Sequence, residues 1–313
     1  MKFIERDYEN FDDLYAIGRM LRRALPVNPS WNAWAFARFD IWAQRRMADE
    51  KILGKTDWKH GFHLWSEPGG ALAGAAFFLH SPFAVMLSNP AYPALTKTML
   101  DHLEANASTL KMNEPIRVEV LDSNLHLLEQ IKACGYEPSS DSMIIRRKVL
   151  HGRQNDAVEL PEEYRIISVE SEAEIGQYIA AVEAVFHMLD RMDVHAFVRS
   201  APSAVPELSL VALSEKGEPA AVSSVWWDRE NNCAEFEPVG TVPGFQQRGL
   251  AKALLNYSSN WLRNHGCDVV GVESWSESPA ANRLYESAGL LAVDHLHDWG
   301  RPKSGQATFT AFL

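Results

Sequence analysis

The sequence is short of several things that would set its class. It has three cysteines in 313 residues, Cys134, Cys233 and Cys267. They lie far apart, with no CxxC pair and no zinc-ligand spacing, so neither a disulfide framework nor a structural zinc site is expected, and the thiols read as reduced and buried. Positive charge is also scarce: 30 Lys and Arg stand against 41 Asp and Glu, a net charge of −11. That balance disfavours nucleic acid or an anionic membrane surface as a partner. No apolar run is long enough to span a bilayer. The longest, "GGALAGAAFFLHSPFAVML" from Gly69, is interrupted by His80, Ser81 and Pro82 and reads as two short buried strands. The opening "MKFIERDYEN" is charged from its start, unlike a signal peptide, so a cytoplasmic protein is expected.

What is present suffices for ordinary packed cores: 46% of residues are hydrophobic, in a chain long enough for about two domains. The two halves share landmarks. "LHLLEQIKACGYE" followed by "MIIRRKV" resembles "ANRLYESAGLLAV" near the other end, and their glycines, Gly135 and Gly289, lie 154 residues apart. "NPAYPALTKTML" resembles "VPGFQQRGLAKALL", with Pro90 and Pro243 lying 153 residues apart. A repeat of about 150 residues follows. The polar, turn-rich "HGRQNDAVELPEE" from His151 serves as the linker.

The second half reads as strand, helix, three strands, helix, strand, helix, strand. Tyr164–Val169 opens it, and Ser171 with Glu174 forms a capping box for a helix to about Phe186. A hairpin runs from Leu208 to Asp228, "CAEFEPVGTV" is the next strand, and a helix lies within Phe245 to His265. "VVGVES", a helix from Pro279 to Ala288 and closing strand complete an α/β sheet with packed helices.

One stretch carries chemistry: "EFEPVGTVPGFQQRGLAKALL", Glu235 to Leu255. Pro238 cannot donate to a strand ladder and Gly240 weakens it, so a bulge here separates this strand from "VVGVES" and bares backbone amides to an extended ligand. Gln246-x-x-Gly249-x-Ala251 then opens a helix, whose first N–H groups and dipole suit a phosphate, with Gly249 permitting close approach. The spacing is neither the dinucleotide fingerprint nor the Walker loop. An amide-bearing arm joined to a pyrophosphate describes coenzyme A.

These segments, with "ANRLYESAGL", resemble the GCN5-related N-acetyltransferase (GNAT) superfamily, most closely bacterial tandem-GNAT proteins, with mycothiol synthase a more distant relative. The match is strongest over residues 208–291. The resemblance implies two tandem domains, each a mixed, mostly antiparallel sheet flanked by helices. Residues 1–150 form a degenerate domain, 151–162 a linker and 163–313 the domain that binds acetyl-CoA and transfers acetyl directly to a small-molecule or peptidic amine, with no metal, in a monomer or homodimer. A non-catalytic acyl-CoA sensor and a thiol-cofactor synthase are the alternatives.

By the same resemblance Glu235 is the base, with Glu237 its alternate or a binder of the substrate cation. Tyr285 is the acid, Val239 N–H bonds the acetyl carbonyl, Gly240 and Thr241 pair with pantetheine, Gln246, Gln247, Arg248, Gly249, Leu250 and Ala251 cradle the pyrophosphate, and Asn282 contacts the cofactor. The first half departs from the pattern. "PAYPALTKTML" lacks the glycine, and Ile131 stands where the second half has Tyr285. Trp34, Arg38 and Trp42 in "SWNAWAFARFDIWAQRR" are spaced for one helix face and read as core or domain interface. "HLHDWG" around His295 reads as alternating strand residues rather than a metal site.

Overall fold

The computed structural model describes residues 2–110, 112, 114–188 and 191–302. Its first half runs β1 (Ile4–Asp7), α1 (Phe11–Ala24), α2 (Phe36–Leu53), β2 (His63–Ser66), β3 (Leu72–His80), β4 (Phe83–Ser88), α3 (Leu95–Thr109), β5 (Arg117–Leu121), α4 (Leu125–Ala133) and β6 (Glu137–Val149). The second half repeats that order: β7 (Tyr164–Ser168), α5 (Glu172–Phe186), α6 (Met192–Arg199), β8 (Leu210–Ser214), β9 (Pro219–Asp228), β10 (Cys233–Thr241), α7 (Leu250–Asn264), β11 (Val269–Trp275), α8 (Pro279–Ser287) and β12 (Leu291–Gly300). Helix α6 was not expected from the sequence. The segment 151–162 has no regular structure, yet Asp156 is tied down, accepting from Lys148 Nζ at 2.9 Å and Arg263 Nη2 at 3.1 Å.

The twelve strands among the described residues form one sheet in the order β1-β2-β3-β4-β5-β12-β6-β11-β10-β9-β8-β7. The order is nearly palindromic, with one exchange at its centre. The last strand of each half pairs with the other half: β6 lies against β11, with Val269 opposite Val149, and β12 lies against β5, with Leu296 opposite Leu121. The two exchanged strands pair antiparallel with each other.

Local sequence explains most helix ends. Asn10 accepts from Asp12 N to start α1, Asn124 accepts from Leu127 N to start α4, and the Ser171–Glu174 capping box forms as expected. Helix α7 begins later than its apolar pattern suggests, because Gly244, Gln247 and Gly249 all have positive φ and hold residues 243–249 in a turn. The first-half core includes Trp42, Phe62 and Phe77, with the Phe77 ring stacked on each of the other two at 4.5 Å. Burial of each such ring stabilises the fold by roughly 1.5–3 kcal/mol. Phe236, Val272 and Leu255 belong to the corresponding core of the second half.

The halves also meet through α2. Its residues Phe36 and Ala37 pack with Val194 and Val198 of α6 and Trp226 of β9. Ser203 Oγ donates to Asp40 at 2.5 Å, and Asn231 Nδ2 donates to the Arg22 carbonyl at 2.9 Å. A first-half helix thereby covers one face of the second-half sheet.

Candidate acyl-transfer site

The break in the sheet lies where Pro238 and Gly240 suggested. Strands β10 and β11 are paired in parallel only from Cys233 to Glu235. Between Phe236 and Val239 the register of β10 slips against β9, and pairing resumes at Val239, Gly240 and Thr241 opposite Ser223, Val222 and Ala221. Trp226 Nε1 donates to the Glu237 carbonyl at 2.9 Å, which fixes the bulged segment to its neighbour. Gly240 is required by packing as well: a Cβ there would lie 2.4 Å from Val185 Cγ1 of α5.

Beyond the break stands the N-terminus of α7. Gly249 is its N-cap, with φ +78° and no side chain capping the first turn, and no acid occupies that turn. A side chain at Gly249 would be conformationally strained, although the space beside it is open. The first-turn amides that follow Gly249 have no side-chain cap and suit an anion. Gln246 and Gln247 are exposed beside it. Arg248 closes the turn on itself, donating to Tyr164 Oη at 2.5 Å and to the Gly244 carbonyl at 3.0 Å. This loop and the splayed strands are the two features on which the expectation of coenzyme A rests.

The first half keeps the splay but fills it. Strand β4 is paired with β5 only at Phe83 and Ala84. Past that point the Asn32 side chain takes both backbone groups of Ser88: Ser88 N donates to Asn32 Oδ1 at 2.8 Å, and Asn32 Nδ2 donates to the Ser88 carbonyl at 3.0 Å. Trp31 Nε1 caps the arrangement on Ser88 Oγ at 2.8 Å. The protein's own amide occupies the gap that an amide-bearing ligand would need. Ile131 is fully buried in the core.

On the face covered by α2, the strands carry a row of carboxylates around two arginines. Arg147 Nη2 of β6 is 3.0 Å from Glu235 Oε1 of β10. Arg38 of α2 lies 2.7 Å from Glu119 of β5 and 3.6 Å from Glu273 of β11. Trp34 Nε1 donates to the other Glu119 oxygen at 2.7 Å. Burial raises the Glu235 carboxyl, with Arg147 opposing the shift. Burial likewise moves Glu273 up to about 7 against the pull of Arg38.

Glu237 differs from Glu235 in its surroundings. Glu235 is buried and lines a cavity of about 360 Å3 between the halves, shared with Arg147, Glu273 and Trp34. Glu237 lines a second cavity, of about 170 Å3, under α2, α5 and α6. Crowding by protein atoms, then Glu273, pushes the Glu237 carboxyl up to about 7, with Arg38 opposing. Its surface stays open to solvent in the cleft, so water moderates this shift until a ligand closes the cavity.

Tyr285 lies on the other face of the sheet, packed with Phe236 and Val272 and only 6% exposed. Burial, then the nearby Glu237, raises its phenol, which stays protonated across neutral pH. Asn282 is engaged within the protein: its Oδ1 accepts from Arg146 Nη2 at 3.2 Å and its Nδ2 donates to the Ser276 carbonyl at 2.9 Å. Arg38, Arg147, Glu119 and Glu273 were not anticipated as site residues. The available signal was charge on strands that are otherwise apolar, in "RVEVL", "MIIRRKV" and "VVGVES".

Among the described residues no group of three or more His, Cys, Asp or Glu side chains is gathered as a metal ion would require. His295 and His297 stack with centroids 6.5 Å apart, as alternating residues of β12. Among the described residues no helix is long and apolar enough to cross a membrane.

Comparison with known proteins adds to this geometry. Residues 177–290 match the family model of the Acetyltransferase (GNAT) family. The family match is confined to the second half, and the chain as a whole has the tandem GNAT fold. A GCN5-related N-acetyltransferase from Sphaerobacter thermophilus is similar over 98% of both chains, with TM-score 0.64 and 19% identity. A tandem GNAT protein from the clavulanic acid biosynthesis pathway is similar over 95% of this chain and 97% of its own, with TM-score 0.66 and 12% identity. A GNAT-family acetyltransferase from Colwellia psychrerythraea aligns over 96% of this chain and all of its own, with TM-score 0.60 and 10% identity. No curated protein sequence matches the chain. At these identities the structural likeness concerns the GNAT fold, and the GNAT family match supports acyl transfer in general.

Proposed function

We propose that the protein is a cytoplasmic N-acetyltransferase that moves acetyl from acetyl-CoA directly to a primary amine, with its active site in the second half. We take residues 1–150 as a degenerate domain, 151–162 as a linker and 163–313 as the catalytic domain. The observation that carries this reading is the splayed β10–β11 pair leading to the uncapped helix terminus at Gly249, with Glu237 on one side of the splay and Tyr285 on the other. Acetyl-CoA supplies an activated acyl group on a thiol that can leave.

The residues of this chain divide the remaining work. The amides at 249–251 hold the pyrophosphate, and the backbone of Val239, Gly240 and Thr241 orients the extended arm. We assign the base role to Glu237 rather than Glu235. Glu237 opens onto a cavity and has its proton affinity near neutrality, where a general base is most effective, whereas Glu235 is committed to Arg147. Glu237 takes a proton from the amine as its nitrogen forms the amide bond. The thioester C–S bond breaks and Tyr285 gives its proton to the departing sulfur, so an acetylated amine and a free thiol leave. The first half contributes α2, which roofs the acceptor side, and Arg38, which keeps the carboxylate row from repelling itself.

Calorimetric titration of the full chain with CoA, paired with mass-spectrometric detection of acetylated amines from a mixed amine library, tests the proposal. Binding of one CoA per chain together with an acetylated product is expected. A chain that does not bind CoA, or that hydrolyses acetyl-CoA without acetylating any amine, would exclude it.

A further inference from the structure

The 170 Å3 cavity beside Glu237 has a selectivity that acetyl transfer alone does not specify. Its volume is close to that of an engineered protein cavity of about 150 Å3 that stays dry and binds benzene. The walls are Ile41 of α2, Val182 and Phe186 of α5, Met188 beyond it, Val198 of α6 and Trp226 of β9. Phe186 is 39% exposed and Met188 54% exposed, so two large apolar side chains stand in water at this site.

Several polar groups of the wall are already engaged, although Arg199 Nε is buried without a hydrogen-bond partner. Tyr178 Oη and Ser224 Oγ are 2.7 Å apart, and the Tyr178 ring rests on His195 with centroids 4.7 Å apart. Arg199 donates to the Val169 carbonyl at 2.8 Å, and Arg45, on the same wall, is likewise partnered. The Trp226 indole N–H is spent on the Glu237 carbonyl. The lining therefore combines apolar surface with one carboxyl group, that of Glu237, and with the guanidinium groups of Arg45 and Arg199 at its rim.

Such a chamber discriminates by chemistry. A methylene taken out of water contributes about fourfold to kcat/KM. A second ammonium group buried here would meet the like charges of Arg45 and Arg199, and a hydroxyl would find few uncommitted partners, each at a loss on the order of tenfold or more. We propose that the acceptor is a primary amine on a short apolar body, an arylalkyl or branched-alkyl amine, with its nitrogen at Glu237 and its body between Phe186, Val198 and Trp226. This rests on the acetyl-transfer reading above.

The full chain, supplied with acetyl-CoA, is assayed against methylamine, isoamylamine, phenethylamine, spermidine and a lysine-containing peptide. Phenethylamine and isoamylamine are expected to exceed methylamine, spermidine and the peptide by at least tenfold in kcat/KM. Val182→Phe, which fills the chamber, should lower the ratio of phenethylamine to methylamine kcat/KM at least tenfold. Met188→Ala truncates an exposed side chain, is compatible with an intact core, and should raise the phenethylamine KM severalfold with kcat little changed. CoA titration runs in parallel. Tight CoA binding with spermidine or the peptide preferred would overturn the proposal and leave acetyl transfer standing, whereas loss of CoA binding in the unmodified chain removes both. Equal effects of Val182→Phe on methylamine and phenethylamine also count against it.

Discussion

Arg147 reaches Glu235 by crossing Gly271. A Cβ at position 271 would lie 2.1 Å from Arg147 Nη1 and 2.9 Å from its Cδ, and the 3.0 Å pair to Glu235 depends on that vacancy. The glycine interrupts a valine-rich strand for the sake of an ion pair between a first-half strand and a second-half strand.

Gly271→Ala should therefore displace the guanidinium, leave Glu235 unpaired and cost roughly 1–3 kcal/mol in urea denaturation. Arg147→Met should cost a similar amount. The double variant should cost no more than the worse single one, because both remove the same pair. Fully additive losses would show that the glycine acts elsewhere.

Glu237→Gln keeps size and removes the proton acceptor. The unmodified enzyme should gain kcat as pH rises through about 7, where Glu237 ionises once a ligand has closed the cavity. The variant should lose that limb and fall on the order of 10²-fold or more in kcat. Glu235→Gln, which loses its pair to Arg147, should retain the limb. Loss of the limb in the Glu235 variant instead would reverse the assignment.

Gly249→Val places a β-branched side chain at φ +78° beside the phosphate cradle. CoA affinity should fall at least tenfold, about 1.4 kcal/mol. Asn32→Ala empties the filled splay of the first half and should leave calorimetric stoichiometry at one CoA per chain. A second equivalent would mean that the Asn32 side chain alone keeps CoA out of the first half.

Tyr285→Phe keeps the ring packed against Phe236 and removes only the proton donor. We expect kcat to fall on the order of 10²-fold, with CoA affinity and Tm nearly unchanged. Turnover at the unmodified rate would make the tyrosine structural, and joint loss of CoA binding and stability would place its hydroxyl in the packing.

Asp298 of β12 faces Glu119, and burial, then Glu119, pushes its carboxyl up to about 7 from an ordinary 3.8. The folded chain thus holds a proton that the unfolded chain releases, and stability falls as pH rises from about 4 through about 7. Asp298→Asn should raise Tm at pH 8 and change it little at pH 3.5. Equal shifts at both pH values would show that charge is not the cause.

The parts legible in the sequence are those encoded locally. Pro238 and Gly240 mark the bulge, Gly249 marks the helix start, and Ser171 with Glu174 marks a capping box, because each acts on its own few residues of backbone. The expectation that Trp34 and Trp42 are core holds at 3% and 9% exposure, while Arg38 from the same stretch joins the carboxylates. Helix α6 escaped notice because it is eight residues long and packs on α2, a contact from the other half. The carboxylate row was hidden for a related reason. Glu119, Glu235 and Glu273 come from three strands, and only the sheet order brings them to one arginine-bearing face.

The strand exchange at the centre of the sheet bears on how the chain is made. β12 follows every other described strand in the chain, yet β12 is the strand that sits against β5 and closes the first half. Until Gly300 has emerged, β5 presents an open edge, able to pair with any strand that reaches it. The second half, in turn, requires β6, which has been waiting since before it was synthesised. Neither half can be completed during translation and then set aside. Both halves are locked together by the exchange of β6 and β12.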